Sequence, residues 1–410
     1  MTPFRYTCTL CDRTFARDTV RYLCSDCGRT YTPGMPLRGV LEVTFDAEAL
    51  RRSFDPEHPS WEVFSAVERE YYPPYAVGGT PLTSAERLGK ELGLTRLFLK
   101  NDGLNPSGSL KDRASFLMVA EATRLGEDRI VTASTGNAAS ALAAVCAAAG
   151  KHAIIFVPST APRAKLAQIL LYGATLIPVA GTYDDAFRLS LEYTAQEGGL
   201  NRNTAYHPLT IEGKKTAGLE IFAQSGMRVP DVIALSAGDG VILHGIHKAF
   251  ADLRAARLSE KLPRLLCVQA ESSDAIHRYF TTGIYADAAH PVTQADSISV
   301  RTPSNAFMAR RAIVESQGTS LTATDDEIRT AQAQLARTSG IFAEPAAAAA
   351  VAGVARARTT GWIGAGEHVV VLLTGHGLKD VDFALKGVDL PEPVAPDLDA
   401  VRTALARRHP

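Results

Sequence analysis

The sequence predicts an α/β protein with open parallel sheets, entered through a small cysteine-bearing ribbon. Three observations carry this reading. From about residue 85 onward, short continuous apolar segments alternate with stretches of helical periodicity, the pattern of parallel strands covered on both faces. Ahead of that alternation stand two Cys-x2-Cys pairs, Cys8/Cys11 and Cys24/Cys27. A chain of 410 residues also exceeds what one hydrophobic core organises, so two or three domains are expected.

The ribbon comes first. Two CxxC knuckles separated by a hairpin-length insert can set four thiolates around one tetrahedral Zn2+; a disulfide-bonded ribbon and a ribbon that has lost its metal are the alternatives. Gly28, just after the second knuckle, suits the tight turn such a knuckle requires. The small size and mixed charge of this segment favour a structural appendage. Cys146 and Cys267 lie in Ala- and Leu-rich surroundings and are expected as buried small hydrophobes.

The alternating part follows. RLFLK reads as a strand, then the NPSGSLKD loop, then a helix to about Leu125 that Gly126 stops. IVTAS is a strand, STGN a loop, and the Ala-rich helix after it ends at Gly150. HAIIFVP is a strand and Pro162 opens a helix towards Tyr172-Gly173. ATLIPVA precedes a helix over Asp184–Glu197. DVIALS, LLCVQA and HVVVLLTG are further strands, and Thr324 with Glu327 forms a capping box. PEPVAPDLD reads as a linker before a short terminal helix.

Charge excludes some functions. Lys and Arg number 43 against 44 Asp and Glu, a net charge of -1, and no long block of one sign suggests nucleic acid or an anionic membrane as partner. The opening MTPFRYTCTL lacks the charged-then-apolar pattern of a secretory leader, and the Ala-rich runs are too short to span a bilayer. A cytoplasmic enzyme on a small molecule is the expectation.

In open α/β sheets, ligands gather where strand ends lead into helix starts. Three loops, NPSGSLKD, STGN and SAGDG, fit that position. Lys111 is either a solvated cation paired with Asp112 or a reactive amine, since a lysine joined to an aldehyde is no longer held protonated. Ser134, Thr135 and Asn137 either cap the Ala-rich helix or present a carboxylate site at its start. Gly238-Asp239-Gly240 exposes amides that can cradle a phosphate, with the Asp239 side chain turned away or capping the next helix. Thr374 can bond a heteroaromatic nitrogen or belong to a plain glycine turn. His376 reads as an ordinary polar loop residue.

Taken together and in order, NPSGSLKDRAS, ASTGNAASALAA, GATLIPVAGTYDDAF, EGKKTAGLEI, GIFAEPAAAAAVAG and LLTGHGLKD resemble the fold-type II pyridoxal-phosphate enzymes, and the threonine synthase branch most closely, over about residues 75–385. The resemblance implies a two-domain, tryptophan synthase β-like fold. A zinc ribbon would span 1–34, a larger cofactor-binding domain 35–75 and 208–392, a smaller domain 76–207, and a linker with a helix 393–410. It implies that Lys111 holds pyridoxal 5'-phosphate and moves protons, that Asn137 bonds the ring hydroxyl, that the amides of Gly238, Asp239, Gly240, Val241 and Ile242 hold the phosphate, and that Thr374 faces the ring nitrogen. Ser134, Thr135 and Asn137 would receive the substrate carboxylate. The implied reaction converts O-phospho-L-homoserine and water to L-threonine and phosphate, and the implied assembly is a homodimer.

The chain departs from that pattern where substrate phosphate is expected to bind. Ala138 follows STGN where Thr is frequent, and Thr210 stands where Arg often precedes the EG pair. Asp239 and Val241 occupy positions where Asn or Thr is common. A lost arginine contact of about 2–3 kcal/mol shifts preference roughly 30- to 150-fold; Lys214, Lys215, Lys165 and Arg163 are nearby cations able to compensate. A related replacement enzyme acting on phosphoserine or an O-acyl serine is the second expectation, and a non-enzymatic cofactor- or zinc-binding protein the third.

Overall fold

Among the residues described by the computed structural model (2–408 except 33, 56–60, 162 and 389), the strands form three sheets. The first is antiparallel: β1 (Phe4–Cys8) pairs with β2 (Thr14–Phe15) and, on its other edge, with β3 (Leu41–Phe45). β3 lies beyond residue 34, so the ribbon sheet continues into the segment expected to belong to the larger domain.

The main sheet comprises β4 (Leu82–Ser84), β5 (Arg96–Asn101), β10 (Val232–Ser236), β11 (Arg264–Ala270), β12 (Thr319–Ala323) and β13 (His368–Leu373). They stand in the order β12-β11-β10-β13-β5-β4, and all pairings are parallel except β4 with β5. The second α/β sheet comprises β6 (Arg129–Ala133), β7 (His152–Pro158), β8 (Thr175–Val179) and β9 (Leu200–Asn201). Its order is β8-β7-β6-β9 and it is wholly parallel. β4 and β5 come from the range expected in the smaller domain, yet their backbone hydrogen bonds lie in the main sheet.

Every residue of β10 and β13 is buried, as continuous apolar strands between two helical layers require. The Pro345–Thr359 helix covers one face and is buried from Pro345 to Val354; its alanines let it approach the strands closely. On the opposite side the Leu209–Gln224 helix crosses the Lys111–Arg124 helix at Gly213. A Cβ at Gly213 would lie 2.3 Å from the Arg113 carbonyl oxygen and 2.6 Å from the Ala114 Cα. Both are backbone atoms, so neither can swing aside.

The capping box of Thr324 with Glu327 is formed, and Gly150 ends the Asn137–Ala149 helix in the left-handed conformation. The helix expected to open at Pro162 runs from Arg163 to Leu171; Pro162 itself lies outside the described residues. No helix among the described residues is long and apolar enough to cross a membrane. Cys146 and Cys267 are buried, and burial pushes both thiols up to about 12.

Gly213→Ala should destabilise the protein by about 3 kcal/mol, because two backbones must separate. Gly366→Ala, where a Cβ meets nothing within 4 Å, should stay within about 0.5 kcal/mol. Urea unfolding of the two variants tests the difference; equal midpoints would contradict the close crossing.

Candidate active site

Strands β10, β13 and β5 are neighbours, so their carboxyl ends open side by side. The loops that leave them are tied together by backbone hydrogen bonds. Leu110 N–H donates to Thr374 O (2.9 Å), His376 N–H to Gly108 O (3.0 Å), and Glu344 N–H to Gly375 O (2.9 Å). The NPSGSLKD and TGHG loops are therefore one framework, although some 260 residues separate them in the chain. The STGN loop enters from β6 in the other sheet.

Lys111 begins its helix, and its two neighbours fix it while facing elsewhere. The Asp112 carboxylate accepts from Ser107 N–H (2.8 Å), the Ser107 hydroxyl and the Tyr75 hydroxyl (3.2 Å). It is buried, so the alternative of a surface Lys111–Asp112 pair does not hold. Arg113 donates to Asp102 (2.6 and 2.9 Å) and to Glu220 (2.7 and 2.8 Å), and Lys100 completes the network at 2.6 Å from Glu220.

Lys111, Asn137, Gly238, Asp239, Gly240, Ile242 and Thr374 line one cavity of about 380 Å³. Ser236, the first residue of the SAGDG loop, lines it too, and so do Ser297 and Glu344, which sequence reasoning missed. Glu344 accepts from Asn137 Nδ2 at 2.8 Å; burial raises its carboxyl above the usual range, against the pull of Asn137 and Lys111. Val241 does not line the cavity, because its N–H donates to Asp239 Oδ1 (2.9 Å). Asp239 thus bonds the first amide of the following helix, whose cap residue is Gly240. Burial alone would raise its carboxyl, but Lys214 and Lys111 outweigh burial and hold it at about 2. Ser134 and Thr135 stand half-buried outside the lining. Neither caps the helix through its side chain: the cap residue is Gly136, whose N–H donates to Ser134 Oγ (3.2 Å). His376 Nδ1 accepts from Leu378 N–H (3.1 Å), a local turn contact.

The cavity fits pyridoxal phosphate on three counts. The Lys111 amine makes no hydrogen bond or ion pair among the described residues, which leaves it free to join an aldehyde. A Cβ at Gly238 would fall 3.0 Å from Ser297 O, and one at Gly240, which holds φ +84, would fall 2.8 Å from Ala309 Cβ, so only glycines leave this amide cradle open. The buried Thr374 hydroxyl has no protein partner among the described residues.

A second centre lies in the ribbon. The sulfurs of Cys8, Cys11, Cys24 and Cys27 are within 4.8 Å of one another, all four thiols are free, and Cys11 Sγ is 3.9 Å from Cys24 Sγ. Four ligands at 2.3 Å around tetrahedral zinc stand about 3.8 Å apart, so the set fits Zn2+. The turn glycine is Gly39, not Gly28: Gly39 has φ +72, and a Cβ there would lie 2.9 Å from Cys27 Cβ.

Residues 74–375 match the family described as pyridoxal-phosphate dependent enzyme. A threonine synthase of Methanosarcina acetivorans is 36% identical, over 97% of this chain and 98% of its own. A threonine synthase of Mycobacterium bovis is 37% identical, over 79% and 88%. The solved threonine deaminase isoform 2 of Solanum lycopersicum, in its processed form, superposes with a TM-score of 0.65 at 21% identity, over 75% of this chain and 83% of that one; it shares the fold. This chain belongs to the pyridoxal-phosphate dependent enzymes and, within them, to the threonine synthase family.

The network under Lys111 is sensitive to acid. Burial alone would raise the Glu220 carboxyl, but Arg113 and Lys100 outweigh it and lower it from 4.5 to about 2. Its stabilisation is therefore complete above 4.5 and is lost as pH falls towards 2. A shift of that size is worth at most about 3 kcal/mol. Between about pH 5 and pH 2, wild type should lose more stability than Glu220→Gln by up to that amount in urea titrations. Parallel pH profiles would refute the assignment.

Proposed function

We propose that this protein is a threonine synthase, a pyridoxal-phosphate-dependent lyase that converts O-phospho-L-homoserine and water to L-threonine and phosphate. One observation carries the reading: the uncommitted Lys111 amine lines a glycine-cradled cavity together with the Thr374 hydroxyl, partnerless among the described residues. Pyridoxal phosphate, when bound, supplies the electron sink that makes the substrate's carbon-bound protons acidic.

The chain's own residues supply the rest. Lys111 would hold the cofactor and, once released by substrate, take the α-proton and return protons to later carbons, which calls for an amine within reach of several atoms. Amides of Gly238, Asp239, Gly240 and Ile242 would hold the cofactor phosphate; the Val241 amide is already used by Asp239. Thr374 would meet the ring nitrogen with a neutral hydroxyl, which draws less electron density than a charged acid. Asn137, oriented by Glu344, would meet the ring hydroxyl. Ser134 and Thr135 at a helix start would receive the substrate carboxylate, where free amides and the helix dipole favour an anion.

We propose Zn2+ on Cys8, Cys11, Cys24 and Cys27 as a structural ion, and a homodimer in the cytoplasm. The sulfur cluster supports the first, and family resemblance the second.

The purified protein should be yellow, with a borohydride-reducible cofactor band. Lys111→Ala should lose the reducible band and lower threonine formation by roughly 10²- to 10⁴-fold. A reducible adduct in Lys111→Ala would remove Lys111 from its role. Phosphohomoserine should yield phosphate and threonine in equal amounts; phosphate without threonine, or turnover only of another O-activated amino acid, would favour the replacement-enzyme alternative. Metal analysis should find one Zn2+ per chain and none in the double variant Cys24→Ser, Cys27→Ser.

A further inference from the structure

Where substrate phosphate is expected, Thr210 cannot act as a donor to a ligand. It is buried, its hydroxyl donates to His207 O (2.8 Å), and it accepts from Ala205 N–H (2.9 Å). Lys215 is also spent, held by Glu212 and by Asp252 at 3.0 Å. The side chains of Arg163 and Lys165 lie outside the described residues. Two basic side chains near the Lys111 helix nonetheless lack a hydrogen-bonded counter-ion among the described residues.

The first is Arg202, just past β9 and 1% exposed. Its only hydrogen bond among the described residues runs from Nε to the Ser115 hydroxyl (3.2 Å), one turn after Lys111, and its Nη2 is buried with no partner. The second is Lys214, fully buried, whose Nζ donates to one neutral oxygen, Thr204 Oγ1 (2.7 Å). Lys214 is repelled by both Lys111 and Arg202, and burial lowers its amine well below the usual lysine range; Asp239, which lines the cofactor cavity, attracts both Lys214 and Arg202. A buried cation without a hydrogen-bonded counter-ion is costly. Asp239 acts on both and Asp112 on Arg202, but neither carboxylate is hydrogen-bonded to them among the described residues, so the pair can still take an anion. The unbonded end of a guanidinium is a fork that matches the oxygens of a phosphomonoester.

We propose that Arg202 and Lys214 recognise the phosphate of the substrate in place of the arginine absent at Thr210. This rests on the phosphohomoserine reading above. The site selects a dianionic phosphomonoester on the side chain over an uncharged ester. Arg202 offers the directional contacts, and Lys214 the point charge.

The test uses the cofactor-loaded enzyme and calorimetric titration with two unreactive probes: 2-amino-5-phosphonopentanoate, in which a methylene replaces the ester oxygen, and 2-aminopentanoate, which lacks the phosphonate. Lys214→Gln and Arg202→Met should each weaken the phosphonate by about 30-fold, hold 2-aminopentanoate within about twofold, and retain cofactor content. Arg202→Lys, which keeps the charge in the buried site, should recover part of the loss. Equal weakening of both probes, or of neither, would overturn the proposal, as would cofactor loss in parallel with phosphonate affinity, which would assign the pair to the cofactor phosphate. Wild-type turnover separates the two layers. Threonine formation with unaltered phosphonate binding in the variants defeats this inference alone, whereas wild type that makes no threonine from phosphohomoserine defeats the functional reading on which it stands.

Discussion

The site depends on how Lys111 is held without being touched. A reactive amine must be placed firmly, yet any hydrogen bond or ion pair to its nitrogen would compete with its task. The chain meets both demands through the two residues that follow. Asp112 turns back and ties Ser107, so the loop before Lys111 cannot shift. Arg113 turns the other way into Asp102 and Glu220. One residue anchors the loop, the other the helix, and the nitrogen between them stays uncommitted. An isolated Arg113 in that interior would cost several kcal/mol; four bonds to two carboxylates remove the penalty and specify one geometry. Gly213 then lets the Leu209–Gln224 helix lie against the Arg113 backbone, which brings Glu220 within reach.

Much of this frame is legible in the sequence, for a physical reason. Strands buried on both faces must be apolar throughout, and each is followed by a polar loop and a helix, so β5, β6, β7, β10, β11 and β13 read directly from composition. Convergence of their loops follows from the parallel topology alone. What escapes is set by pairing between distant segments. β4 and β9 are three and two residues long and carry no periodicity to detect. That β5 belongs to the main sheet is decided by its register with β13, residue for residue from His368↔Arg96 to Leu373↔Asn101, a fact with no local trace.

The site residues divide in the same way. Lys111, Asn137, Gly238 and Thr374 sit at loop positions where small and polar residues cluster, and clustering is visible in one dimension. Glu344 sits before a run of alanines and looks like a helix-start acid; only folding brings it to Asn137 and over Gly375, where any side chain would collide with its carboxylate. The family pattern asks Val241 for an amide, but Asp239 claims it. A single carboxylate in an anion-binding loop is anomalous until its surroundings are counted.

Those surroundings join the separate parts. Asp239 feels the charges of Lys214 and Lys111 and acts in turn on Arg202. Burial lowers Lys214 well below the usual lysine range and Arg202 to about 10, and the Asp239 carboxylate opposes both shifts. Neither side chain has a hydrogen-bonded counter-ion among the described residues: Arg202 Nε meets the Ser115 hydroxyl and Lys214 Nζ the Thr204 hydroxyl. An asparagine at 239 would cap the Val241 amide equally well through its side-chain oxygen, so capping does not account for the charge. The carboxylate instead offsets the buried Lys214 and Arg202, on both of which it acts. Under the proposed reading the neutral Thr210 and the charged Asp239 belong together: the cations stand at Arg202 and Lys214, and Asp239 is the carboxylate that acts on both.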